Sequence, residues 1–227
     1  MRRCLATALL AISSFLWPLW AQAGQPCEVV PMPCTFEALP FTFTVVDAET
    51  RQPLVDVHAL AEWQKEGVGG RLNGPLMVLE AVSGPDGVLG FPGWGPIQGP
   101  VTGIGIGRDP IITVFKTEYK PLMINNGSPP GTKETQRVRR FGQDGRTYAL
   151  ERFRGRREEW LEQLHRVWLG VAVPRDAETT LKFREPYLNR LKRVSAERHK
   201  FPPEQQRGGS FFWHVDRELK LLQEGHR

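Results

Sequence analysis

Histidine and cysteine are the side chains that most readily hold metals or act as nucleophiles and bases near neutral pH. This chain carries five histidines and three cysteines. His58, His165, His199, His214 and His226 are scattered, and no two stand four apart, the spacing that puts two ligands on one helical face. No G-x-S-x-G elbow, phosphate loop or dinucleotide fingerprint occurs. Gly103-Ile104-Gly105-Ile106-Gly107 has the glycines but lacks the strand-to-helix context and the remaining spacing. Asp56 and Glu62 fall on one face of a candidate strand, yet two carboxylates without a cleft or partner make no acid-base pair. The expectation is therefore no catalytic residue, no metal and no cofactor. A deep pocket lined by His58 and acidic residues would instead favour an uncharacterised hydrolase.

The cysteines depend on where the chain goes. Arg2 and Arg3, the apolar run from Leu5 to Trp20, and Ala21-Gln22-Ala23 stand in the order of a secretory signal peptide, with cleavage expected before Gly24. An uncleaved anchor remains the alternative, although Ser13, Ser14 and Pro18 interrupt the ~20 apolar residues a span requires. Cleavage removes Cys4 and leaves Cys27 and Cys34. In an oxidising compartment these two are expected to form a disulfide across the proline-stiffened segment 28–33, stabilising by ~2–3 kcal/mol in a chain-entropy model. The expected location is the periplasm or cell envelope.

Charge divides the remainder. Residues 24–130 hold 6 basic and 11 acidic side chains, whereas residues 131–227 hold 22 basic and 14 acidic ones. Arg137, Arg139, Arg140, Arg152, Arg154, Arg156 and Arg157 form the densest run, read as a cationic patch. Such a run could meet nucleic acid, anionic headgroups or another acidic polymer. Export argues against nucleic acid, and Glu158, Glu159 and Glu162 compensate part of the charge on a helix surface.

These residues need elements to position them, and the acidic region reads as strands. Phe41-Thr42-Phe43-Thr44-Val45-Val46 concentrates β-branched and aromatic side chains. Val55 to Trp63 alternates with a period of two, predicting one buried and one mostly solvated face. Leu76 to Val82 and Val88 to Phe91 flank Pro85-Asp86-Gly87 as a hairpin. Residues 92–110 are so rich in glycine that they are expected to form a long loop, within which Trp94, between Gly93 and Gly95, is the candidate exposed ligand contact. Ile111 to Lys116 is a further strand. Short strands separated by turns predict a mainly β, antiparallel sandwich.

The opening strand and turn Val45-Val46-Asp47-Ala48-Glu49-Thr50-Arg51-Gln52-Pro53-Leu54, the strand Val57 to Trp63, the hairpin Glu80-Ala81-Val82 with Asp86-Gly87 and Phe91, and Phe115-Lys116 with Tyr119-Lys120-Pro121 together resemble a bacterial exported carboxypeptidase regulatory-like domain. The resemblance covers residues 41–124 and implies a transthyretin-like or immunoglobulin-like β-sandwich, non-catalytic, transferring no catalytic residue. One departure is visible: the glycine usual before the tyrosine is Glu118, which puts the geometry of that turn in doubt.

The expected organisation is a signal peptide (1–23), an arm carrying the disulfide (24–40), the sandwich (41–125), a basic linker (126–150) and a helical region (151–227). Trp160, Leu161, Leu164 and Trp168 mark a first helix over 156–171. Tyr187, Leu188, Leu191 and Val194 mark a second, with Pro186 early in it, and Phe211, Phe212, Val215, Leu219 and Leu222 a third, with Ser210 as its N-cap and Gly225 as its stop. Trp63, Trp160, Trp168 and Trp213 are expected in cores. The functional expectation is an envelope protein that contacts a protein or envelope polymer; a hydrolase and a peripheral binder of anionic membrane are the alternatives.

Overall fold

The computed structural model describes residues 35–67, 72–98, 104–106, 110–126, 138–170 and 177–224. Residues 1–34, with the expected signal peptide and the Cys27–Cys34 pair, lie outside them, as does Arg137.

Eleven strands are described: β1 (Thr35–Ala38), β2 (Phe41–Asp47), β3 (His58–Gly67), β4 (Leu72–Val82), β5 (Val88–Phe91), β6 (Trp94–Gln98), β7 (Ile104–Ile106), β8 (Ile111–Phe115), β9 (Leu122–Asn125), β10 (Val138–Arg139) and β11 (Thr147–Leu150). They form three sheets, ordered β10-β1-β6, β11-β2-β5 and β4-β3-β8-β9, with β7 pairing to β3. Pairing is antiparallel except where β10 joins β1 and β11 joins β2, both parallel.

β2 forms because Phe41, Phe43 and Val45 alternate inward while Thr42 faces water. They meet Leu89 and Phe91 of β5, Ala59, Ala61 and Trp63 of β3, and Ile112 and Val114 of β8 in one core. Gly87 closes the β4–β5 turn at φ 71°, and a Cβ there would stand 2.5 Å from the Val45 carbonyl, so only glycine fits.

Four α-helices follow: α1 (Arg157–Leu169), α2 (Ala177–Lys182), α3 (Arg184–Ala196) and α4 (Phe211–Glu224), with 3-10 turns at Glu197–Lys200 and Pro203–Gln206. Trp160 and Leu164 of α1, Leu188 and Leu191 of α3, and Phe212 and Val215 of α4 build a second core. Its floor is the outer face of the five-stranded sheet, through Leu60, Val78 and Phe115. No helix among the described residues is long and apolar enough to cross a membrane.

Several expectations are corrected here. The segment read as a long loop contains β6 and β7, and its glycines permit close approach instead: a Cβ on Gly95 would lie 2.6 Å from the Phe36 carbonyl of β1. Residues 138–150, expected as linker, supply β10 and β11. The face of β3 expected to be solvated is covered, since His58, Leu60 and Glu62 are all buried beneath helices. Ser210 stands before α4 and its carbonyl accepts from the His214 amide, but its hydroxyl makes no hydrogen bond, so it does not cap as expected.

Candidate functional site

Among the described residues, ionisable side chains gather at two clefts, among other places. The first is the seam where α3 lies on the sheet. Register sets its composition: His58 stands opposite Val82 and Phe115, Leu60 opposite Glu80 and Thr113, and Glu62 opposite Val78 and Ile111, so all of these share one face. α3 brings Tyr187, Asn189, Arg190 and Arg193 to it, because three- and four-residue spacing carries Arg190 on the same stripe as Tyr187 and Val194.

The contacts are specific. His58 Nε2 lies 3.0 Å from Glu80 Oε2, and the Asn189 amide donates to the other Glu80 oxygen at 2.8 Å. Arg193 donates to Asp56 at 2.8 Å. Gln64 donates to Glu62 Oε2 at 2.8 Å, and Arg190 donates to the Thr113 carbonyl. Burial dominates the titration of this cluster. It pushes Glu62 up to about 7, with Tyr187, Gln64 and Arg190 opposing the shift. It pushes His58 down to about 4 despite the Glu80 partner. Enclosure likewise brings Arg190 down to about 9. The Tyr187 hydroxyl is close enough to Glu62 for each to shift the other, but it makes no hydrogen bond.

A cleft of about 350 Å³ runs along the edge of this seam, lined by His58, Glu80, Asn189, Lys192 and Arg193. It is the arrangement that would favour a hydrolase. The His58 side chain, however, is 0% exposed, its Nε2 is held by Glu80, and its Nδ1 is buried without a partner. In this arrangement the ring borders the cleft without presenting an accessible nitrogen to it. Glu62 does not line the cleft at all. Among the described residues no group of three or more potential metal ligands occurs.

The second place is an open groove of about 560 Å³ between the end of β2, the entry to β9 and the start of α1, lined by Glu49, Lys120, Glu151, Arg152, Arg154 and Glu159. Asp47 anchors one wall. It accepts from the Glu49 and Thr50 amides at 2.8 and 2.9 Å, from the Tyr119 hydroxyl at 2.7 Å and from Arg152 at 3.2 Å. Those donors, the Thr50 amide foremost, hold its carboxyl well below the usual range. Around it, Lys120 pairs with Glu151 at 2.6 Å, Arg154 with Glu49, and Arg156 with Glu159 at 3.0 Å. The pairing lowers Glu151 and Glu159 and raises Arg156.

The expected cationic patch is thus divided. Arg152 and Arg154 line the groove, and Arg156 stands beside it, paired to a lining residue; Arg157 is exposed at the start of α1, and Arg140 is exposed beyond β10. Arg139 is buried, its guanidinium 5.7 Å from the centre of the Phe36 ring. Trp94 is not exposed as expected: it is 8% accessible and packs edge-on against Trp63, ring centres 5.5 Å apart, because β6 is a strand over the core. Trp213 is 40% exposed, outside the core expected for it.

No protein-family model matches the chain, and no curated protein does. Among solved structures, a 9R-lipoxygenase from Cyanothece PCC8801 aligns over 86% of this chain and 30% of its own length, at 15% identity and a TM-score of 0.25. The chain therefore spans less than a third of that protein, and a likeness of this size carries no argument about fold or activity.

Proposed function

We propose that this chain is an exported, non-catalytic interaction protein of a Gram-negative type cell envelope, which contacts another protein or an envelope polymer. The proposal includes a cleaved signal peptide over 1–23, a Cys27–Cys34 disulfide and a periplasmic or envelope location, all resting on the sequence pattern. It also includes a transthyretin-like sandwich of the carboxypeptidase regulatory-like kind. Glu118 supports that part: it adopts φ 68°, the left-handed conformation glycine favours, at the position where the family usually has glycine.

The observation that carries the interaction reading is the groove. Its pairs are exposed, with the Arg154 and Glu49 side chains 72% and 54% accessible. Exposed pairs contribute little to folding, so they can exchange partners at small cost. Cations and carboxylates are mixed in the lining of the groove, which matches a protein surface of mixed charge better than a uniformly anionic polymer or bilayer.

The test uses the mature chain from Gly24 immobilised and offered three probes: solubilised envelope proteins, isolated envelope polymer and anionic lipid vesicles. Retention of a defined protein partner, weakened by raising salt to about 0.5 M and by the pair R154E and R156E, is the expected result. Retention of vesicles alone would replace this reading with peripheral membrane binding, and no retention of any probe would overturn it.

A further inference from the structure

The seam beneath α3 is apolar at its margins and ionisable in its middle. His58 and Glu62 of β3 and Arg190 of α3 are 0%, 6% and 0% exposed. Each keeps a buried polar atom without a hydrogen-bond partner: Nδ1 of His58, Oε1 of Glu62, and Nε and Nη1 of Arg190. An enclosed group in that condition tolerates its neutral form far better than its charged one.

The charges around these groups come from every neighbouring element. Asp56 precedes β3, Glu80 lies on β4 and Lys116 follows β8. α3 contributes Tyr187, Arg190, Lys192 and Arg193, and α1 brings Arg166 to the cleft beside Thr113. The five cations named thus outnumber Asp56, Glu62 and Glu80 even while Glu62 is charged, and of these carboxylates Asp56 is already paired with Arg193 and Glu80 is shared between His58 and Asn189.

We propose that this seam is a proton-operated latch: α3 stays seated while the His58 ring is neutral, and a proton gained by His58 unseats the helical layer while the strand core stays folded. An imidazolium here would carry a second N–H, on Nδ1, into an interior that offers it no acceptor, and it would stand among Arg190 and Arg193. Glu80 would pair with the imidazolium through Nε2, but that offsets only part of the cost of enclosing the charge, and Glu62 adds no second counter-charge, since on acidification it has become neutral before His58 charges.

The two cores make such a separation feasible. Tyr119, Phe43 and Trp63 belong to the strand core, Trp160, Tyr187 and Phe212 to the helical one, and among the described residues Met77 packs against both. Unseating would bare Leu60, Val78 and Phe115, an apolar face available to a partner.

The test is amide hydrogen exchange of the full mature chain from about pH 7 to about pH 3, corrected for the intrinsic pH dependence of exchange, beside an NMR titration of the His58 ring. Protection of α3 relative to β2 should fall by at least about tenfold across the midpoint of the His58 titration. H58Q, which can still donate to Glu80 but cannot charge, should keep that ratio flat. Equal loss in α3 and β2, or the same fall in H58Q, would overturn the proposal. Should H58Q not fold, a His58 ring that titrates in the wild type without any change in α3 exchange would overturn it equally.

Discussion

Tyr119 donates its phenolic hydrogen to Asp47 Oδ2 at 2.7 Å, tying the turn after β8 to the end of β2 across 72 residues of chain. Arg152, which pairs its backbone with Tyr119, donates to the same oxygen, and its guanidinium lies 5.3 Å from the centre of the Tyr119 ring. One carboxylate therefore holds three segments together at the wall of the groove.

Replacing Tyr119 by Phe removes one of the four donors to Asp47 without changing the packing. The melting temperature is expected to fall by about 2–4 °C, the shift of one lost hydrogen bond in a chain of this size. The Asp47 carboxyl is depressed, so its stabilisation is complete above the ordinary aspartate range and is lost only as the pH drops toward the folded value. Melting curves of wild type and Y119F should accordingly stay a constant distance apart from neutral pH down to about 4. A gap that closes near neutrality would show that Asp47 does not carry the difference.

Glu118 precedes that tyrosine in the left-handed region, where a side chain meets steric resistance that glycine avoids. Its carbonyl accepts from the Phe153 amide, so the conformation is held by the fold. E118G is expected to stabilise by ~0.5–1 kcal/mol, the relief of strain exceeding the added freedom of the unfolded chain. Urea denaturation decides it, and a destabilisation of the same size would mean the turn is not strained.

Much of this was legible in the sequence, and the failures share a cause. Phe41 to Val46 and the Asp86-Gly87 turn are local signals, and they form what their residue types predict. Period two in Val55 to Trp63 separates two sets of side chains from Val57 onward, whereas Val55 is exposed ahead of β3, and the set expected to be solvated is covered by α3, more than a hundred residues away. Thr147-Tyr148-Ala149-Leu150 has strand character that the surrounding arginines hide, and its pairing with β2 is non-local. Arg190 could have been found, because it lies on the stripe defined by Tyr187 and Val194; its charge argued for the outer face. The glycines near Trp94 were misleading, since a residue that permits freedom also permits close contact with β1.

The burial of Trp94 against Trp63 predicts a role in stability. Truncation to Ala empties a site packed against Trp63 and should cost ~3–5 kcal/mol, with the loss read in chemical denaturation. Partner binding measured at a temperature where W94A remains folded should match the wild type. A selective loss of binding with unchanged stability would return Trp94 to the ligand face.

Glu62 and His58 pull stability in opposite directions with pH. Glu62 is raised from 4.5 to about 7, so its contribution is present in full below the unfolded value and is lost as the pH rises through the folded one. At 1.36 kcal/mol per unit the swing is about 3 kcal/mol. His58 is lowered from 6.5 to about 4, so its contribution is present above the unfolded value and is lost as the pH falls through the folded one. The two slopes oppose each other between 4.5 and 6.5, where this pair should leave the wild-type stability nearly level. E62Q removes one slope and H58Q the other. The stability of wild type minus that of E62Q should decline by about 3 kcal/mol from about pH 4.5 to about pH 7.5, while wild type minus H58Q should rise by a similar amount from about pH 4 to about pH 6.5. Denaturation at four or five pH values measures both differences. Parallel profiles for all three proteins would mean that neither side chain changes its proton affinity on folding, and the buried seam would then be a purely steric contact.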